Sequence, residues 1–257
     1  MSTPLTEARH FRLALFWAGL GAAGAVAVLP YAMALAPTTQ PLPLPVLAIA
    51  AGVQMGVLLL LLNWLGLRLG YPLSLDSPLA RAWVYRQALP PIAPAGLKLA
   101  LAIGGLGGLL LVGLDLAFQP WMPSSAMLMT PTIALWKRWL AAFYGGITEE
   151  LLLRLFGMTG ITWLLWKGLQ RNQAQPSPIL YWVAIAIAAV LFGLGHLPTA
   201  ATLWGFTPVV ILRTLTLNAV LGIPFGFLYW QWGLEYAMLA HFCADIVLQG
   251  LSSVLPG

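Results

Sequence analysis

Charge is scarce in this chain. Asp, Glu, Lys and Arg make up 7% of its 257 residues, with seven acids and three histidines. No polar stretch is long enough to build the core of a soluble domain. The net charge of +5 is modest, and no patch interleaves Lys/Arg with aromatics, which excludes nucleic acid as a partner. It reads instead as a topological bias and as contact with membrane lipids. Cysteine is nearly absent too. Cys243 stands alone, so no intramolecular disulfide forms and the redox compartment is unreadable. There is no H-E-x-x-H pair and no internal repeat. The closest approach to low complexity is Pro41-Leu42-Pro43-Leu44-Pro45, read as a stiff extended connector.

What fills the chain is apolar: 60% hydrophobic residues, with 26 Gly and 20 Pro. Apolar runs near the roughly 20 residues a span requires occur at about 13–36, 46–67, 97–118, 139–166, 178–197, 207–231 and 234–254. The fold class is therefore all-α, a polytopic transmembrane helical bundle of about 7–8 spans; the eighth arises if the fourth run breaks near Gly157 or Gly160. Residues 1–131 are expected to hold N-terminal spans and a cytoplasmic loop, and residues 132–257 a catalytic core. The first run is too long for a cleaved signal and is read as a retained span. Arg9 and Arg12 before it, and Arg68, Arg81 and Arg86 in loop 68–96, place the N-terminus in the cytoplasm, consistent with a bacterial inner membrane. Lys137 and Arg138 do not fit that pattern. Gly104 with Gly108, and Gly222 with Gly226, predict close helix contacts. Pro224 predicts a kink or break in the sixth span.

Against this background Glu149-Glu150-Leu151-Leu152-Leu153-Arg154 stands out, three charges inside an apolar run. Each costs at least about 2.5–3.5 kcal/mol at a bilayer centre. On a helix Glu150 and Arg154 form an i,i+4 pair. Glu149 is turned about 100° away and is free to face a cavity. Gly145 and Gly146, just before, let a backbone approach or make room for a substrate. Two histidines sit in later apolar runs: Phe192 and His196 share one face, as do His241 and Asp245. Cys243 points away from the second face, which argues against a Cys–His nucleophile. Intramembrane ionisable residues usually face an interior cavity, so the three runs are expected to be neighbours.

Glu149-Glu150-x-x-x-Arg154, Phe192-x-x-x-His196 and His241-x-x-x-Asp245, in that order, resemble the motifs of the CPBP intramembrane proteases. That family covers type II CAAX prenyl endopeptidases and bacteriocin-processing, immunity and abortive-infection proteins. The resemblance spans about 139–250, with two departures: Asp245 stands where asparagine is typical of the CAAX enzymes, and Leu155 where glycine often follows the arginine. It implies an endopeptidase cleaving a membrane-associated protein or peptide. Glu149 and His196 would activate water, His241 and Asp245 would serve the oxyanion side, and Glu150 and Arg154 would order the site. An ionised aspartate cannot donate, so Asp245 is expected either to be protonated or to act through His241 by orienting its ring, the second being preferred.

Glu149, His196 and His241 also make a zinc set with an open position. A metal-free, cofactor-free mechanism is preferred, because Asp245 would support a ligating His241 while nothing near His196 in sequence would support that ring. The rivals are a non-catalytic immunity or scaffold protein that keeps the motifs, and a proton-relaying transporter. The missing repeat counts against the transporter. Substrate identity and oligomeric state are not written in the sequence.

Overall fold

The computed structural model describes residues 7–35, 42–123 and 133–251. Among them there is no strand, only helices and the loops and turns between them. Helix α1 spans Glu7–Ala27, α2 Leu29–Leu35, α3 Leu44–Gly70, α4 Pro78–Val84 and α5 Pro94–Phe118. Residues 135–169 form one composite helix, α6. It starts as α-helix (Leu135–Phe143), widens to π-helix over Tyr144–Glu149 and Leu151–Met158, and closes as α-helix over Thr159–Leu169. Then come α7 (Pro178–Trp204), α8 (Pro208–Trp232) and α9 (Leu234–Leu251).

Among the described residues five stretches are long and apolar enough to cross a membrane: His10–Leu35, Leu44–Leu73, Pro94–Trp121, Pro178–Trp204 and Pro208–Trp232. These coincide with five of the seven apolar runs. The other two runs, inside α6 and α9, carry Glu149, Glu150, Arg154, His241 and Asp245. Ile49, Val53, Val57 and Leu61 recur every fourth residue along α3 and are all about 60% exposed or more. Water would penalise such a stripe; hydrocarbon does not. The chain is an integral membrane protein.

Helix α6 lies at the centre. Helices α1 and α3 pack on one side of it, α7, α8 and α9 on the other, and α9 is held between α6 and α5. The expected glycine contacts are present. A Cβ at Gly104 would lie 2.7 Å from the Ala240 carbonyl oxygen, and one at Gly108 2.8 Å from that of Ala244, so α5 rides directly on α9. Gly222 and Gly226 meet Ala189 and Ile185 in the same way, joining α8 to α7.

Three expectations are corrected. Helix α6 runs through Gly157 and Gly160 without a break, changing from π to α between them. Helix α8 continues through Pro224, so the break expected as one of two outcomes does not occur; packed neighbours hold the helix where the missing N–H would loosen it. Pro43 and Pro45 belong to the start of α3 rather than to an extended connector, because proline suits the first helical turn; Pro41 lies outside the described residues. Loop 68–96 is also more ordered than its prolines suggest. It contains α4, and an ion pair between Arg81 and Asp76 fixes its bend.

Candidate active site

The six residues singled out from sequence converge. Glu150 and Arg154 are buried, with Arg154 Nη1 2.9 Å from Glu150 Oε1. A buried guanidinium needs more than one partner. Arg154 Nη2 donates to the Gly222 carbonyl at 3.0 Å, and its plane faces the Phe192 and Phe225 rings at 5.3 and 5.6 Å. Helix α8 thus supplies two contacts, from Gly222 and Phe225, that sequence reasoning missed. The sign available was Gly222, already marked as a site of close backbone approach.

His241 is clasped by two adjacent residues of α6. Its Nδ1 lies 2.7 Å from Glu150 Oε1, and its Nε2 lies 3.7 Å from Glu149 Oε2. Neighbouring carboxylates therefore face opposite edges of one imidazole. The Phe225 ring stacks on that imidazole at 4.7 Å, 22° from parallel. Asp245 Oδ2 stands 3.8 Å from His241 Nε2. Glu150, coming in from α6, takes the Nδ1 edge of the ring, while Asp245, one turn along the same helix as His241, stands at the Nε2 edge.

His196 approaches from α7. Its Nδ1 lies 2.9 Å from the carbonyl of Phe192, and its Nε2 lies 3.6 Å from Glu149 Oε1. A carbonyl only accepts, so Nδ1 carries the proton and the neutral ring turns an acceptor, Nε2, toward Glu149. That backbone carbonyl is the support the sequence seemed to deny His196, and it removes the ligand-support argument against a metal. Among the described residues no three His, Cys, Asp or Glu side chains are grouped so as to hold a metal ion.

The site is open on one side. The His196 side chain is 40% exposed and that of Glu149 16%, while those of His241 and Glu150 are 6% and 0%. His196 therefore forms the exposed edge of the site. Cys243 faces α5, against Gly104, and takes no part.

Local winding explains the geometry. The widened turns of α6 cover Tyr144–Glu149 and Leu151–Met158, and π turns recur at functional sites. They are held at both ends. Thr148 Oγ1 donates to the Gly21 carbonyl of α1 at 2.9 Å. Thr159 Oγ1 donates to the Arg154 carbonyl at 3.1 Å, so it must accept from Tyr229 Oη, 2.9 Å away. Gly145 and Gly146 admit α9. A Cβ at Gly145 would collide with Asp245 Oδ2 and lie 3.1 Å from His241 Nε2, and one at Gly146 would lie 3.1 Å from the Phe242 backbone.

No curated protein and no solved structure matches the chain. Residues 131–247, somewhat less than half of it, match the family model described as type II CAAX prenyl endopeptidase Rce1-like. All six converging side chains fall within that segment.

Proposed function

With an Rce1-like type II CAAX prenyl endopeptidase domain over residues 131–247 as premise, we propose that the protein hydrolyses a peptide bond in a membrane-associated protein or peptide by activating water at Glu149. One observation carries this reading. Glu149 is the carboxylate that both histidine Nε2 atoms face, at 3.6 and 3.7 Å, whereas Glu150 is engaged by Arg154 and His241 Nδ1. Those two separations exceed direct hydrogen bonds and suit a bridging water.

In the proposed reaction Glu149 takes the water proton as the oxygen attacks the carbonyl, with His196 Nε2 as the second acceptor, and Glu149 then returns that proton to the amide nitrogen as the C–N bond breaks and the amine leaves. His241 serves the oxyanion side: when its ring carries both protons, Nδ1–H is held by Glu150 and Nε2–H is free to donate. Asp245 acts beside that same Nε2. Arg154 pairs with Glu150 and holds its carboxylate against Nδ1, so that the imidazole stays in one orientation. Substrate reaches the site within the membrane, past the exposed edge of His196.

Membrane proteomics of the native host, comparing wild type with Glu149→Gln, tests this. The amide cannot take the proton, and the expected loss is about 10²–10⁴-fold in turnover with an unchanged thermal transition. Products that accumulate equally in both strains would remove Glu149 from the mechanism. Prolonged chelation is expected to leave turnover unchanged. Stoichiometric zinc, with activity lost to a chelator and restored by zinc, would replace this mechanism by a metal-assisted one.

A further inference from the structure

A cavity open on one side lies away from the carboxylates, where the start of α1 meets α4 and the chain that follows it. It measures about 730 Å³ and is lined by Arg12, Leu15, Phe16, Trp83, Arg86 and Leu89, among others, with no acid. Among the described residues neither guanidinium, Arg12 or Arg86, has an ion-pair or hydrogen-bond partner. The floor is apolar yet open: Leu15, Trp83 and Leu89 are more than half exposed. The walls are fixed. Trp17 Nε1 donates to Ser77 Oγ at 2.9 Å, tying α1 to the loop before α4, and the Phe16 and Trp83 rings meet at 5.3 Å. Arg86 itself is in the left-handed region, φ 51°, which is uncommon for a residue with a Cβ.

We propose that this cavity binds one anionic phospholipid, its phosphate between Arg12 and Arg86 and an acyl chain along Leu15, Phe16, Trp83 and Leu89. Depth supports the assignment. Arg12 is the third residue of the span His10–Leu35, so its guanidinium reaches headgroup level while Leu15 and Phe16 lie one turn deeper. Planar guanidinium groups suit phosphate oxygens, and an exposed tryptophan suits the interface between headgroup and hydrocarbon. A soluble phosphate would find the charge but leave the apolar floor uncovered; a zwitterionic lipid would cover the floor but set its own cation against two arginines.

Native mass spectrometry of the full chain, purified in detergent and exposed to phosphatidylglycerol or phosphatidylcholine, tests it. Wild type is expected to retain one phosphatidylglycerol and no phosphatidylcholine, and free glycerol phosphate is expected not to displace the lipid. Arg12→Gln with Arg86→Asn is expected to weaken retention about 30-fold, since each basic residue near an anionic surface contributes roughly a factor of five. Asparagine tolerates the left-handed backbone, and both side chains are exposed, so the variant keeps its fold. Equal retention by that variant, equal retention of phosphatidylcholine by wild type, or displacement by glycerol phosphate would each overturn the assignment.

Discussion

At the scale of single residues, the site turns on one buried cation. Arg154 is 1% exposed and serves Glu150, the Gly222 carbonyl and two aromatic faces together. Arg154→Ala strands the Glu150 charge, and removing one partner of a buried pair costs about 3–5 kcal/mol. Both the thermal midpoint and the yield of folded protein in detergent are expected to fall, and activity with them. A variant as stable as wild type would show that the pair carries no stabilisation. The Glu150–Arg154 pair was legible in the sequence because i,i+4 spacing is local. The clasp of His241 by Glu149 and Glu150 was not. It joins residues 91 positions apart, and only the packing of α9 against α6 decides which nitrogen meets which carboxylate. The Phe192 carbonyl beside His196 was hidden for another reason: a backbone acceptor leaves no mark in residue type.

At the scale of the element, α6 separates two glycines that the sequence presents as equivalent. A Cβ at Gly145 meets the far end of the Asp245 side chain, which can swing aside, while one at Gly146 meets Phe242 backbone, which cannot. Gly145→Ala is therefore expected to fold and to lose about 100-fold in turnover, the scale of a 1 Å misplacement. Gly146→Ala is expected to lose about 1–3 kcal/mol by overpacking. Parallel melting curves and initial rates separate the two, and matched behaviour of the pair would contradict this account. The apolar run of α6 was plain from sequence, but its π winding was not. Nothing in Tyr144–Met158 distinguishes an i→i+5 ladder from an i→i+4 one; contacts from Gly21 and Tyr229 on distant helices anchor its ends.

At the scale of the molecule, the helices before residue 131 cover those that carry the site. Helices α1 and α3 cover α6, and α5 covers α9 through Gly104 and Gly108. A fragment starting at residue 132 would present those faces, Thr148 and the inner side of α9 to lipid. It is expected to be degraded or to aggregate when expressed alone, and co-expression of residues 1–131 is expected to recover it, as a protease-protection assay would show. A fragment that is stable and active by itself would make the first half dispensable.

The burial of Arg154 has a consequence for biogenesis. Its carbonyl partner at Gly222 lies 68 residues downstream and the imidazole that completes the cluster 91 residues beyond Glu150. At about 5–20 residues per second, the ribosome delivers His241 roughly 5–18 s after Glu150. During that interval α6 has emerged with α1 and α3 already made but without its partners on α8 and α9. The nearest neutralising group is one turn away on the same nascent helix, so the Glu150–Arg154 pair is the charge compensation that α6 carries with it until α8 and α9 arrive.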